Sequence, residues 1–389
     1  MSKISVELIR SWGRTRVAGA AGAALRWPIM GTFTFEIDEL AIPAAPQAPG
    51  WADFEAANGV RNTVEAEAYG TTDLELTAEE LLPDWLKQAW EPKRLLVARS
   101  KGRLVGRGHY ETLPEGSAEH AWLAVEALPE YRPRGIGSAL TARLGAIAHS
   151  EDRSVQIVYA PSPTAPGGRL HSPTGFGSVP LGNPEVRFLQ GRGYLLEQVV
   201  RASRHTLPVD PPQLRRLRDA AAAHAGPDYA VLQWVDRTPP DWVPDLAVLY
   251  TRMSTDAPSA GLAEPEQLWT PERVMQKEQK AAAGRRTALT SAVLHGPSGH
   301  LVRFTELEVP AESRRAVSQE DTLVLREHRG RRLGMLLKMA NLELLAAERP
   351  GHPSVMTYNA EENRHMLTVN EAIGFVPLGY EGAWRRDAL

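Results

Sequence analysis

Hydrophobic and polar positions follow the same order twice along this chain, offset by about 200 residues. Residues 32–38, Thr-Phe-Thr-Phe-Glu-Ile-Asp, alternate as an early strand should. In the first half Leu95–Ala98 and Leu104–Tyr110 flank Lys101-Gly102, and in the second Ala288–Leu294 and Leu301–Leu307 flank Gly296–Gly299. Both pairs predict hairpins. An apolar strand-like run then leads into an Arg/Gly turn: Ala121–Leu128 into Tyr131–Gly137, and Thr322–Leu325 into His328–Gly334. A helical pattern follows each turn, over Ser138–Ala148 and Met335–Ala347, with Leu333, Leu336, Leu337, Ala340 and Leu344 on one face. Strands are predicted next at Val155–Tyr159 and Val355–Tyr358. Short helices follow, ending in Gly193-Tyr194 and Gly374-Phe375, and the last strands fall at Leu195–Val200 and Val376–Glu381.

Further helices are expected at Thr77–Trp90, Trp242–Met253 and Thr270–Ala283, where Pro271 and Glu272 suit a first turn. The join lies near Arg201–His224, stiffened by Pro208, Pro211 and Pro212, with a bridging helix at Gln213–Ala223. The expected organisation is therefore a first domain over 30–205, a linker helix over 206–226 and a second domain over 227–389. Residues 1–29, with Arg10, Arg14 and Arg16 before an Ala/Gly-rich stretch, read as a disordered extension.

Composition narrows the chemistry. The chain has 389 residues, 43% of them hydrophobic, which is enough for more than one core. A net charge of −3 argues against a nucleic-acid binder driven by net charge. The absence of cysteine excludes disulfides, thiolate zinc sites and cysteine nucleophiles. The histidines lack metal-ligand spacing, so no metal is expected. No apolar run reaches the length of a membrane span, and a cytoplasmic, monomeric protein is the expectation.

The Arg/Gly turns carry the candidate chemistry. A strand entering a helix through Arg-x-x-Gly-x-Gly aims free backbone N–H groups at one point, where the helix dipole also favours an anion such as a pyrophosphate. No Gly-Lys-Ser/Thr follows, so the turn is not a Walker loop. Its glycine spacing does not suit a dinucleotide fingerprint either.

Tyr131–Gly137 resembles the acetyl-CoA pyrophosphate loop of the GNAT superfamily, with Arg132, Gly135 and Gly137 on its pattern and Arg134 between them. The second copy meets the pattern at Arg329 and Gly334, with Gly330 and Arg331 beside them, but Arg332 stands where the middle glycine is expected. The resemblance covers nearly all of residues 31–389, and its two-unit layout is similar to that of mycothiol synthase and related actinobacterial acyltransferases. It implies an α+β fold of two tandem units, each a mixed central sheet flanked by helices.

The resemblance further implies an N-acyltransferase. An acetyl-CoA or other acyl-CoA co-substrate gives its acyl group to a small-molecule amine by direct attack. A pantetheine arm on an acyl carrier protein is an alternative donor, and an acyl-CoA sensor without turnover is the competing function. The family's base position falls on Glu320 or Asp321 in the second half, whereas Leu123 and Ala124 in the first half cannot take a proton. The backbone of Leu323, Val324 and Leu325 would line the donor, and Asn359 and Asn363 match the pantetheine contacts. The family's usual acid position is Leu189 in the first half and Asn370 in the second, which leaves Tyr358 as the substitute acid. These matches place the expected catalysis in the second half. Trp234, Trp242, Trp269 and Trp384 are candidates for an acceptor wall, with core packing the alternative.

Overall fold

The structure, a computed structural model, describes residues 33–113, 119–256 and 258–387. The expected extension over 1–29 lies outside the described residues. The first half contains β1 (Glu36–Glu39), α1 (Trp51–Tyr69), α2 (Ala78–Leu86), β2 (Lys93–Ser100), β3 (Arg103–Glu111) and β4 (His120–Ala127). It continues with α3 (Ile136–Ser150), β5 (Val155–Pro161), the small hairpin β6 (Arg169–His171) and β7 (Ser178–Pro180), α4 (Pro184–Gln190) and β8 (Leu195–Thr206). Helix α5 (Pro211–Ala225) bridges, its start capped by the Asp210 carboxylate accepting from Gln213 N–H at 3.2 Å.

The second half repeats the order: β9 (Tyr229–Val235), α6 (Val243–Asp256), α7 (Pro271–Ala283), β10 (Thr287–His295), β11 (His300–Val309) and β12 (Val317–Val324). Helix α8 (Leu333–Glu348), β13 (Ser354–Ala360), α9 (Arg364–Ile373) and β14 (Val376–Asp387) complete it.

The two expected sheets are one. Twelve strands run in the order β1-β2-β3-β4-β5-β14-β8-β13-β12-β11-β10-β9. The halves merge by exchanging their last strands. β14 pairs antiparallel with β5 of the first half, from Asp387 opposite Val155 to Glu381 opposite Pro161. β8 in turn pairs with β13 of the second half, and β8 and β14 pair with each other at the centre. Each half thus leaves one place in its sheet that the other half fills.

Alternation sorts the core into two layers. On β2, Leu96 and Ala98 pack beneath α3, while Leu95 and Val97 pack beneath α1 and α2. The second half does the same, with Phe304 under α6 and Leu307 under α8. Helix α1 buries Phe54, Ala57 and Val60 and ends at Gly70, whose left-handed backbone lets its N–H bond Ala66 C=O. Its C-terminal Tyr69 lies over the sheet's centre, against Ala202 of β8 and Met356 of β13.

Candidate active site

Each half contains a pair of parallel strands that part company. β4 and β5 pair only through His120–Trp122 and Val155–Ile157. β12 and β13 pair only through Val317-Ser318 and Val355-Met356. Beyond these few residues the strands splay, and an Arg/Gly turn opens a helix at the mouth of each cleft.

In the first cleft, Gly135 is left-handed at φ 87° and leads into α3 with no side-chain cap and no acid in the first turn. The first N–H groups of α3 therefore have no partner within the helix and suit an oxyanion. Arg132 ties the turn down: its Nε donates to Ala127 C=O at 2.7 Å, and Nη1 pairs with Glu67 of α1 at 2.8 Å. A Cβ on Gly137 would lie 3.2 Å from the Phe188 ring, so glycine keeps the cleft floor clear. Arg192 stacks on Phe188 at 3.5 Å and also donates to Ser138 Oγ, which sets another cation beside the turn. Arg134 is exposed over Phe33 and Tyr131.

Carboxylates collect on the opposite face of this half. Glu126 on β4 pairs with the buried Arg107, and Glu65 on α1 interacts electrostatically with Glu126 and with Glu381 of β14. Glu381 accepts a 2.5 Å hydrogen bond from the Tyr69 hydroxyl. Desolvation pushes the Glu381 carboxyl up to about 7, against the lowering effect of that hydrogen bond. Burial also raises Tyr69 and Tyr358, whose rings meet edge-on at 6.4 Å, so both keep their protons at neutral pH. Glu264, from the loop after α6, accepts from Tyr159 Oη at 2.9 Å and from Trp122 Nε1 at 3.2 Å. Four aromatic side chains and acids from both halves thus surround this region.

The second cleft is built differently. Its loop arginine, Arg329, and Arg326 both pair with Asp256 at the end of α6, at 2.8 and 2.9 Å. This mirrors the Arg132–Glu67 pair. Arg332 adopts the left-handed conformation at φ 55°, where the first cleft has Gly135. Gly334 is buried, and a Cβ there would run into the Arg303 guanidinium. Beneath α8, Lys338 donates to Asn370 Oδ1 at 2.8 Å, and Asn370 donates to Asn359 Oδ1 at 2.7 Å. β12 also carries a bulge. Thr322 faces Thr305 and Gln319 faces Leu307, so Glu320 and Asp321 together oppose Glu306.

Comparison with known proteins agrees with this architecture. Residues 65–165 match the acetyltransferase (GNAT) family. A tandem GNAT protein from the clavulanic acid biosynthesis pathway superposes with a TM-score of 0.68 at 24% identity, covering 92% of this chain and 99% of that one. A GCN5-related N-acetyltransferase from Sphaerobacter thermophilus superposes with a TM-score of 0.56 at 16% identity, covering 91% and 95%. This chain has a tandem GNAT fold. No curated protein matches it by sequence.

Within the tandem GNAT fold the expected site residues fall into two groups. Arg132, Arg134, Gly135 and Gly137 gather at the first cleft; Arg329, Gly330, Arg331, Arg332 and Gly334 gather at the second. Leu323 is buried in the core with Phe304, and the Leu325 N–H is engaged by Val302 C=O at 3.2 Å. Val324 pairs with Arg303 of β11. Asn363 caps α9, accepting from Met366 N–H at 3.3 Å, and Asn359 holds Asn370. Glu320 is exposed on the bulge, with Asp321 beside it in the backbone. Tyr358, expected beside the second cleft, instead faces Tyr69 of the first half and is 40% exposed. Trp384 and Trp234 are core residues, and Trp269 stacks on Tyr250 at 4.4 Å.

Sequence reasoning missed Glu65, Tyr69 and Glu381. The first two lie on α1, which was not expected, although Gly50 and Gly70 bracket an Ala/Glu-rich stretch between them. Glu381 reaches the first half only because β14 crosses over, and no local pattern signals that.

Proposed function

We propose that this protein is an N-acyltransferase whose chemistry takes place at the first cleft. An acyl-CoA is held there by the N-terminus of α3 and its flanking arginines, and Glu381 is the general base for the acceptor amine. The observation that carries the reading is the Glu381–Tyr69 pair, in which a carboxyl near neutral pKa is anchored beside the splayed end of β5. A base is most effective when its pKa lies near the working pH. An ammonium acceptor is attracted by Glu65, Glu126, Glu264 and Glu381. It loses a proton to Glu381, the free amine attacks the thioester carbonyl, and the tetrahedral adduct collapses to the amide as its nitrogen gives up a second proton that leaves with the expelled CoA thiolate, forming the thiol. Tyr69 holds the carboxylate in place and remains protonated. The acceptor that suits this setting is a small cationic amine, flanked by the Tyr159 and Trp122 rings.

A second reading places the chemistry at the second cleft, with Asp321 or Glu320 as base and Tyr358 as acid. The β12 bulge favours it, because a bulge frees backbone N–H groups that could polarise a carbonyl. The test is steady-state acyl transfer from acetyl-CoA to a panel of small amines with Glu381→Gln and Asp321→Asn proteins. The first reading expects turnover to collapse in Glu381→Gln alone. Loss in Asp321→Asn alone transfers the chemistry to the second cleft.

A further inference from the structure

Deeply buried cations in this protein are matched by carboxylates almost wherever they occur. Arg315 pairs with Glu80 at 2.6 Å, and Arg107 pairs with Glu126. Arg303 and Lys338 depart from this pattern. Each is only 2% exposed, and among the described residues no carboxylate lies within ion-pair distance of either. Arg303 Nε is buried without a hydrogen-bond partner, and Lys338 has the neutral Asn370 amide. Burial pulls the Lys338 ammonium down to about 7, with Arg303 adding to the effect. Burial likewise pulls Arg303 down to about 9, with Arg329 adding to it.

The first cleft shows that the fold does not require these charges. Arg303 sits opposite Val324, five residues before the loop arginine, just as Gly106 sits opposite Ala127 in the first half. Thr141 occupies the helical position matching Lys338, and Leu189 the position matching Asn370. The floor is polar too: Thr305 and Thr322 hydroxyls bond at 2.8 Å, and Gln319 donates to Thr305 at 3.0 Å. Two like charges buried without a counterion destabilise the empty protein. A ligand oxyanion would offset that cost.

We propose that the second cleft is an oxyanion-binding site, in which Arg303 and Lys338 beneath α8 receive a phosphate or carboxylate group of a small ligand. The amide relay from Lys338 through Asn370 to the half-exposed Asn359 marks the way in. The site differs from the Arg/Gly turn beside it, whose arginine is already committed to Asp256. It is independent of where acyl transfer occurs.

The test uses the full-length chain carrying Gly137→Glu, so that the first cleft's turn cannot take the anion. Inorganic phosphate, pyrophosphate and succinate are titrated by calorimetry, with the melting temperature read alongside. At least one anion is expected to bind and raise the melting temperature. Arg303→Met and Lys338→Met should each weaken that binding at least tenfold, and each should melt higher than its parent without ligand. Phosphate against succinate separates the two sources of the oxyanion. If Arg303→Met fails to fold, Lys338→Gln carries the same comparison. Failure of all three anions to bind, or binding that both variants leave intact, overturns the proposal.

Discussion

The two clefts share a backbone and differ in what fills it. In the first, the glycines at the turn remain open, Gly106 lies beneath Ile136 and Leu140 of α3, and the acids lie across the sheet. In the second, an arginine fills the space under Gly334, a lysine is buried one turn further along α8, and the middle glycine has become Arg332. A repeated fold therefore does not imply a repeated site. Strand splay and helix placement persist because cores and sheet pairing maintain them, whereas a handful of side chains redirects the cleft from one ligand chemistry to another.

The largest expected contrast comes from charge at the two turns. Gly137→Glu introduces a carboxylate among unpaired N–H groups and presses a side chain toward Phe188. It should weaken acetyl-CoA binding at the first cleft by about 100-fold or more, read by calorimetry. Loss of that size with Gly334→Glu instead would reverse the assignment of the clefts.

Glu381→Gln comes next. It should lower kcat by about 100-fold, at the lower end of what a general base contributes, while leaving acetyl-CoA binding nearly unchanged. The pH dependence sharpens this. The wild-type rate should rise with pH and level off above about 7, as Glu381 loses its proton, and the Gln variant should lack that step. Stability runs the opposite way. A carboxyl whose folded pKa is raised favours the protonated state, so this group costs stability as pH climbs from its ordinary value of 4.5 to about 7. Glu381→Gln should therefore melt higher than wild type above pH 7. Asp321→Asn is expected to change neither rate nor its pH profile; a fall in kcat with an unchanged Glu381→Gln would favour the bulged strand as the working one.

Much of this comparison was legible in the sequence. The two turns, the helices after them and the strands on either side were visible because periodicity and glycine placement are local signals. The crossover of β14 was not. Val376–Glu381 reads as the last strand of the second half, and only the pairing with β5 decides that Glu381 belongs to the first cleft. Arg303 was also hidden. In the run Leu301–Leu307 it looks like the solvent-facing member of an alternating strand, yet α8 covers that face. Helix α1 escaped notice because only Phe54, Ala57, Asn58, Val60 and Tyr69 are buried along it, which gives a weak apolar pattern.

Lys338→Met probes the cost of the second cleft's charge. A lysine with a folded pKa near 7 and an ordinary value of 10.5 destabilises most where both states are protonated. The cost should be greatest below about pH 7 and fade as pH rises toward 10.5. Denaturant melts should show Lys338→Met gaining roughly 2–3 kcal/mol more over wild type at pH 6 than at pH 9. An equal gain at both pH values would mean that Lys338 keeps close to its ordinary pKa in the fold and stays protonated at pH 9.

Arg332→Gly tests whether the altered turn is what separates the clefts. Arg332 caps α8 at φ 55°, a conformation that costs a side-chain-bearing residue roughly 1–2 kcal/mol. Glycine removes that strain but gives the unfolded chain more freedom, worth about 0.5–1 kcal/mol in the other direction. The net gain should be small, about 0.5 kcal/mol, measurable as a shift in the denaturant midpoint. Acetyl-CoA affinity at the second cleft should stay unchanged, because the space beside Gly334 is taken by Arg303 whatever residue precedes Leu333. If Arg332→Gly instead confers tight acetyl-CoA binding there, the turn rather than the buried arginine is what distinguishes the two halves.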